Sequence, residues 1–122
     1  MFKKTYDFNT RYNQCSNIIQ KYPNRIPIIL EHKPSSRSYT QHNTKKYLVP
    51  KHVTIGQFVY IIKKKLDMRT DDESLFFSIH DTLPEITATL HEIYEQYKDN
   101  DGYLYILYFN ENNISQNYCN IS

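Results

Sequence analysis

The sequence predicts an α+β fold in which a four-stranded sheet packs against helices and carries an additional helical region at its amino end. Four short apolar segments have the bulk and length of strands, and two segments with helical periodicity start at capping boxes. The segments between them are polar or contain Pro and Asp-Gly turn signals. At 122 residues with 39% hydrophobic content, the chain has room for one domain with one core.

The amino-terminal part of the chain is predicted to be helical over residues 10–22. Apolar residues recur there at intervals of three and four, the period of one helix face. These residues are Tyr12, Cys15, Ile18, Ile19 and Tyr22. A proline ends the helix, and a strand over 26–32 follows. Pro27 lacks a backbone donor, which predicts that this strand lies at a sheet edge or begins at that residue.

A hairpin and a capped helix are predicted from the next segments. Residues 33–45 are polar and are expected to form the hairpin tip, before a strand over 46–49 that a proline ends. Thr54 with Gln57 has the pattern of a capping box, in which each side chain satisfies a free N–H at the helix start. We therefore predict a helix over 54–66.

The second half of the chain supplies two more strands and one more helix. Residues 75–80 form an apolar strand, and residues 87–97 have helical spacing with Thr89 and Glu92 as a second capping box. The final strand, over 103–109, is apolar enough to lie in the centre of the sheet.

The order helix, then β-β-α-β-α-β, is the pattern of the β-grasp (ubiquitin-like) fold. A hairpin, a helix that crosses one sheet face and a long buried final strand are its parts. We expect an amino-terminal helical extension over 1–24, a β-grasp core over 25–110 and a flexible tail over 111–122, within one domain overall.

Charge is divided unevenly along the chain, although the net charge is only +2. Residues 1–70 hold 14 of the 15 Lys and Arg, and residues 71–122 hold 10 of the 13 Asp and Glu. Mutual attraction between the two halves explains most of these charges, and a basic half can also steer encounters with acidic partners. The cluster Lys63–Lys65 with Arg69 complements a helix dipole, or meets an acidic peptide or anionic lipid. The acidic second half argues against nucleic acid as a partner.

Signals for export, membrane insertion and catalysis are weak. No apolar leader follows Met1, and no apolar run approaches the roughly 20 residues that span a bilayer, so we expect a cytosolic or nuclear protein with reduced thiols. Cys15 with a histidine is a conceivable catalytic pair, but its apolar helix face is typical of an inert buried cysteine. The histidines lack metal-ligand spacing. We expect no enzyme, no metal and no cofactor.

Two long segments carry a family resemblance. Residues 21–31 read K-Y-P-N-R-I-P-I-I-L-E, which resembles the K-Y-P-x-R-[VI]-P-V-I-x-E signature of the autophagy ubiquitin-like modifiers, the GABARAP-like or autophagy-related protein 8 family. Residues 45–66 resemble the K-K-Y-L-V-P-x-x-[LV]-T-[VI]-G-Q-F segment of that family and its basic helix. The resemblance covers roughly residues 5–111, in order and with family-like spacing.

The resemblance implies a non-enzymatic, monomeric adaptor on autophagic membranes that binds aromatic-x-x-aliphatic peptides of autophagy receptors and machinery. The peptide adds a strand beside the second strand, where the backbone groups of Lys46 and Leu48 pair with it. The aromatic anchor enters an aromatic pocket, which the resemblance assigns to Ile18, Pro27, Lys46, Leu48 and Tyr103. The aliphatic anchor enters an aliphatic pocket, assigned to Tyr47, Val49, Pro50, Val53, Phe58 and Ile61. Arg25 and Lys65 meet acidic residues that flank the two anchors of the peptide. The alternative for Val53, Phe58 and Ile61 is that they belong to the hydrophobic core of the protein and do not contact a peptide.

The chain departs from the family pattern at its carboxyl end. Members usually present a glycine that is joined to phosphatidylethanolamine, whereas alignment of the last strand places Ser115 at that position, and no glycine follows Gly102 in this sequence. Serine adds a Cβ and a hydroxyl where the side-chain-free glycine threads a narrow channel. We therefore expect no lipid conjugation by the usual route. Smaller departures are Gln14 in place of a common acidic residue, Thr44 in place of lysine, and Tyr103 in place of phenylalanine.

Two alternative functions remain open at this point. One is a lipid-conjugated modifier of autophagosome membranes with atypical processing, which would add a peripheral membrane location to a cytoplasmic one. The other is a microtubule-associated protein, because the resemblance also implies tubulin association through the basic amino-terminal residues Lys3, Lys4 and Arg11.

Overall fold

The computed structural model describes residues 1–33, 44–66 and 74–110. Eight helices and strands follow one another in these ranges. They are α1 (Phe2–Thr5), α2 (Phe8–Lys21), β1 (Arg25–His32), β2 (Lys45–Pro50), α3 (Ile55–Lys65), β3 (Leu75–Ser78), α4 (Leu90–Tyr97) and β4 (Leu104–Asn110).

The four strands form one mixed sheet in the order β2-β1-β4-β3. β1 pairs antiparallel with β2 and parallel with β4, and β3 pairs antiparallel with β4. The first and last strands of the domain therefore lie side by side at the centre, and α3 belongs to the crossover between the two hairpins. This arrangement confirms the predicted α+β, β-grasp architecture and the central position of the last strand.

The predicted edge position of the strand that contains Pro27 is wrong. β1 lies between β2 and β4, and Pro27 is its third residue. The ladder between β1 and β4 begins one residue later, at the pair Ile28–Leu104. The missing N–H of Pro27 therefore falls where no ladder bond to β4 has yet formed, and a proline is tolerated in a central strand.

The two faces of the sheet carry separate clusters of apolar side chains. On one face, Ile26, Ile28 and Leu30 of β1 are buried in the main core, which includes residues of α3 and α4. On the other face, Ile29 is buried with Phe2 of α1, in a smaller cluster that α2 also joins. The alternation follows from the period of two along a strand, and it makes α1 and α2 an integral second layer.

Capping interactions set the starts of three helices. Asp7 accepts a hydrogen bond from the Thr10 N–H, at 2.8 Å, at the start of α2. The predicted capping boxes of α3 and α4 are both present, built by Thr54 with Gln57 and by Thr89 with Glu92. Since Thr89 is the cap, α4 begins at residue 90 and not at the predicted 87.

Some expectations for the amino-terminal region and the loops need correction. α1 was not predicted, because four residues are too few to show a helical period. Tyr12 and Tyr22, predicted on the inner face of the first helix, are 50% and 42% exposed. The predicted hairpin tip over 33–45 lies mostly outside the described residues, as does the tail over 111–122.

A buried carboxylate joins α2 to the turn before β4. Asp101 is 1% exposed, and its Oδ2 accepts hydrogen bonds from the Arg11 guanidinium at 3.3 Å and from the Tyr105 hydroxyl at 2.5 Å. Its Oδ1 accepts from the Tyr103 N–H at 2.9 Å. Burial, followed by the hydrogen bond to the Asp101 carboxylate and its charge, raises the pKa of Tyr105 above its usual range. The Arg11 guanidinium, the Tyr103 N–H and the Tyr105 hydroxyl together compensate the desolvation of the Asp101 charge.

Cys15 packs into the same junction. Its side chain is fully buried, and a Cβ at Gly102, which has a φ of +97°, would lie only 2.8 Å from its Sγ. Glycine is therefore required there both by the positive φ and by the close approach of α2. Burial, with a smaller contribution from the Asp101 charge, raises the pKa of the Cys15 thiol to about 12. The thiol is thus protonated at neutral pH, in contrast to a catalytic cysteine.

We expect Asp101→Asn to lower the free energy of unfolding by about 3 kcal/mol, because it leaves the Arg11 charge buried without its partner. Urea denaturation followed by circular dichroism measures this change. Asp99→Asn is the matched control. Its pair with Lys3 is partly exposed, with side chains 23% and 48% accessible, and the amide oxygen of an asparagine can still accept from the Asp101 N–H. A loss below about 1 kcal/mol is therefore expected. Equal losses for the two variants would contradict the role given to Asp101.

The Cys15 thiol should react at least about 100-fold more slowly with iodoacetamide at pH 8 in the native protein than in urea, because it is both inaccessible and protonated. The measurement uses a Cys119→Ser background, so that mass spectrometry reports Cys15 alone. Rapid native labelling of Cys15 would contradict its placement in the core.

Candidate functional site

The outer edge of β2 presents backbone groups that β1 does not bind. Lys51 donates its N–H to the Asn24 carbonyl at 3.2 Å, one pair beyond Arg25–Pro50 in the β1–β2 register. Hydrogen-bonded and non-hydrogen-bonded pairs alternate in an antiparallel ladder, so Lys46 and Leu48 occupy the non-bonded positions opposite β1. Their N–H and C=O groups therefore point outward, and β2 is the last strand on that side of the sheet.

One of these outward groups already has a partner within the chain. The guanidinium of Arg25 donates to the Leu48 carbonyl oxygen at 3.3 Å. A carbonyl oxygen has two lone pairs, so this contact leaves one acceptor direction on Leu48. It also places a positive charge directly at the strand edge.

Side chains from β2 point alternately to the two faces of the sheet. Leu48 pairs with Pro27 and Lys46 pairs with Ile29, which places them on the face that α1 and α2 cover. Tyr47 and Val49 lie on the opposite face, next to α3. Tyr47 and Val49 of the aliphatic pocket thus lie on the opposite face of the strand from Lys46 and Leu48 of the aromatic pocket.

The aromatic pocket lies between α2, β1 and β2. Ile18 and Leu48 are half-buried and offer accessible apolar surface, whereas Pro27 is buried and contributes little of its own. Tyr103 is only 1% exposed and packs edge-on against Phe2, with ring centroids 5.4 Å apart. It forms a support beneath this surface and contributes little accessible area in this conformation.

Polar groups connect the walls of the aromatic pocket. The Gln14 Oε1 accepts hydrogen bonds from the Lys46 ammonium and from the Tyr103 hydroxyl, each at 3.4 Å. The ammonium of Lys46 also lies over the rings of Phe2 and Tyr6, at 5.0 and 5.8 Å from their centroids. Lys46 is thus held on the α1 side of the strand by an amide and two aromatic faces.

The aliphatic pocket lies between β2 and α3. Tyr47, Pro50 and Val53 are half-buried, and Ile61 is 38% exposed, so these four side chains offer accessible apolar surface. Val49 and Phe58 are 8% and 1% exposed and belong to the main core. Phe58 packs edge-on against Tyr47 at 5.7 Å, and it supports the pocket from beneath.

Positive charge surrounds both pockets. Arg25 and Lys46 flank the strand edge on one side, and the ammonium of Lys65 lies 6.0 Å from the Tyr47 ring centroid on the other. Burial raises the pKa of Tyr47, so its hydroxyl remains neutral. The geometry suits an extended apolar segment that carries negative charge outside its apolar core.

A cavity of about 270 Å³ adjoins the aromatic pocket. It is lined by Met1, Phe2, Thr5, Tyr6, Thr44 and Lys46. Four of these six residues belong to α1 or flank it directly. The position of α1 is fixed in part by the Phe2 N–H, which donates to Glu31 Oε2 at 2.8 Å. Sequence reasoning missed the contribution of Phe2 and Tyr6; the apolar residue after Met1 was the one available signal.

Two residues that sequence reasoning offered for tubulin contact are engaged elsewhere. Arg11 is 8% exposed and is paired with Asp101, and Lys3 pairs with Asp99 at 2.5 Å. The basic amino-terminal surface is therefore smaller than the sequence suggests. Ser115, at the expected conjugation position, lies outside the described residues.

In the described parts of the chain, no group of three or more His, Cys, Asp or Glu side chains is arranged to hold a metal ion. No helix in the same ranges is long and apolar enough to cross a membrane.

Comparison with known proteins identifies the family to which this chain is similar. Residues 10–115 match the model of the family described as autophagy protein Atg8, ubiquitin-like. Autophagy-related protein 8 of Vanderwaltozyma polyspora is 40% identical over 111 residues, which cover 91% of this chain and 92% of the relative. The protein of the same name from Mycosarcoma maydis is 40% identical over 115 residues, with 94% and 96% coverage.

Solved structures agree with the sequence relatives. The crystal structure of Trypanosoma brucei ATG8 superposes with a TM-score of 0.81 at 33% identity, over 90% of this chain and 93% of that one. Plasmodium falciparum Atg8, solved in complex with a Plasmodium falciparum Atg3 peptide, superposes with a TM-score of 0.76 at 28% identity, over 89% and 94%. The chain belongs to the Atg8 family of ubiquitin-like autophagy proteins, which are modifiers or adaptors and not enzymes.

Proposed function

We propose that this protein is an autophagy adaptor that docks aromatic-x-x-aliphatic peptides of autophagy receptors and machinery along the edge of β2. The observation that carries the proposal is the outward-facing backbone of Lys46 and Leu48, with apolar surface on both faces of the same strand. An extended peptide gains backbone hydrogen bonds from such an edge and specificity from alternate side chains.

The spacing of the two pockets fits an extended ligand. Successive side chains of a bound strand point to opposite faces, so anchors three residues apart reach opposite sides of β2. The first anchor meets Ile18, Pro27 and Leu48, and the second meets Tyr47, Val53 and Ile61. The peptide complex of the Plasmodium falciparum relative is consistent with a peptide partner for this fold.

The charges near the edge favour acidic residues beside the two anchors. Arg25 and Lys65 stand on the two sides of the strand, and both are exposed. Exposed charges of this kind act mainly on the association rate and on partner choice. A peptide that displaces Arg25 from the Leu48 carbonyl can offer the guanidinium a carboxylate in exchange, which forms a stronger charge-assisted bond.

The double variant Tyr47→Ala, Leu48→Ala should weaken binding of an acidic aromatic-x-x-aliphatic peptide by about 1–3 kcal/mol, because it removes one anchor contact on each face of β2. Isothermal titration calorimetry measures the affinity.

Tyr60→Ala is the matched control for that experiment. Tyr60 is 59% exposed and lies one helical turn from Gly56, which contacts Ile86 on another side of α3. Its removal should leave peptide affinity unchanged. Equal affinities for the double variant and the native protein would reject docking at β2.

We also propose that the protein acts in the cytoplasm without phosphatidylethanolamine conjugation. The support is the serine at position 115, where the family resemblance leads us to expect a reactive glycine. An unconjugated adaptor can engage the same peptide motifs as conjugated relatives, and it would meet autophagosome membranes through their peptide-bearing proteins.

Intact-mass spectrometry of the protein from its own cells, separated into membrane and soluble fractions, should show no phospholipid adduct. Ser115→Gly, expressed in the same cells, tests whether the side chain at this position is what prevents conjugation. A native species that carries a phospholipid would establish the lipid-conjugated alternative, and the modified residue would identify the processing site.

A further inference from the structure

We propose that the Tyr103 hydroxyl, together with Gln14, makes the aromatic pocket select peptide anchors that carry their own hydrogen-bonding group, tyrosine or tryptophan, over phenylalanine. This inference rests on the docking function proposed above. It concerns the preference of the aromatic pocket and not the existence of the site.

The position of the hydroxyl is fixed by its surroundings. The Tyr103 N–H donates to Asp101, and the ring is wedged edge-on against Phe2 at 5.4 Å and against Tyr105 at 6.3 Å. With the ring 1% exposed, the hydroxyl is directed to α2, where it meets the Gln14 Oε1 at 3.4 Å. Burial raises the pKa of Tyr103 to about 12, so the group is a neutral hydroxyl that can both donate and accept.

Gln14 closes the boundary between α2 and β2. Its Oε1 serves two donors, the Tyr103 hydroxyl and the Lys46 ammonium, and both contacts are long at 3.4 Å. Gln14 lies one helical turn before Ile18, so both side chains are on the side of α2 that faces Leu48 and Lys46. Long hydrogen bonds to a neutral amide are weak, and an entering ring can separate them at modest cost.

The identity of the anchor decides what happens to the separated groups. Once the Gln14 amide moves aside, the buried Tyr103 hydroxyl needs a new partner. The hydroxyl of a tyrosine anchor or the indole N–H of a tryptophan anchor can bond to it or to the amide oxygen. A phenylalanine ring has no polar group to offer, and a buried hydroxyl left unpaired costs about tenfold in affinity.

The departures from the family pattern point in the same direction. A phenylalanine in place of Tyr103 would have no hydroxyl to satisfy, and an acidic residue in place of Gln14 would hold Lys46 as an ion pair. This chain carries Gln14 and Tyr103 at these positions, so its pocket contains a neutral hydroxyl and a neutral amide in contact. The pair converts an apolar support into a polar one.

The test measures the affinities of the native protein, one variant and one control variant for three peptides by isothermal titration calorimetry. The peptides share acidic flanks and a leucine as the aliphatic anchor, and differ only in a tyrosine, tryptophan or phenylalanine as the aromatic anchor. The proteins are the native chain and Tyr103→Phe, which keeps the ring contacts with Phe2. Tyr60→Phe is the control, because it removes a hydroxyl from an exposed position outside both pockets.

We expect the tyrosine and tryptophan peptides to bind the native protein and Tyr60→Phe about tenfold more tightly than the phenylalanine peptide. In Tyr103→Phe the tyrosine-to-phenylalanine ratio should fall to about twofold or less, mainly because the phenylalanine peptide gains affinity. An unchanged ratio in Tyr103→Phe would overturn this inference and leave peptide docking intact. Absence of binding by all three peptides would overturn the docking proposal and, with it, this inference.

Discussion

The buried carboxylate of Asp101 is the interaction on which both the fold and the aromatic pocket depend. It binds Arg11 of α2, the Tyr103 backbone and the Tyr105 side chain, so it fixes the amino-terminal layer against the central strand. A charge with 1% exposure is tolerated only with such compensation. Because α2 carries one wall of the aromatic pocket and Tyr103 supports it from beneath, their relative position follows from this one group. The close approach of Cys15 to Gly102 stabilises the same junction through packing.

An open strand edge is useful for peptide capture and hazardous for aggregation. β2 is six residues long. Its outward-facing backbone groups include those of Lys46 and Leu48, and the Leu48 carbonyl accepts a hydrogen bond from Arg25. Charges at an edge disfavour pairing with another copy of the same chain, since the copies repel one another. The same charges attract an acidic peptide. The same positive side chains thus disfavour pairing with a second copy of this chain and favour binding of the proposed acidic peptide.

Local signals determined how much of this structure the sequence could predict. The capping boxes at Thr54 and Thr89 and the apolar final strand depend on residues within a few positions of one another. The sequence predicts the presence of these elements correctly, although α4 begins three residues later than predicted. Pro27 was placed at an edge because a local rule could not show where the ladder to β4 begins. The residues of the two pockets came from the family resemblance and not from periodicity. The contact between Gln14 and Tyr103 joins positions 89 residues apart, and no local pattern encodes such a contact.

Stability and recognition meet at adjacent residues in the turn before β4. Asp101 orients the Tyr103 backbone, while the Tyr103 side chain reaches the pocket boundary at Gln14. Substitutions at Asp101 therefore act on recognition indirectly, by moving the hydroxyl, whereas removal of the hydroxyl acts directly and leaves the ring packing in place. Because Tyr103 takes part in both the buried junction and the pocket boundary, the polarity of the aromatic pocket and the packing beneath it depend on the same residue. The proposed anchor preference thus depends on how α2 is attached to the sheet, and not only on the residues that a peptide touches.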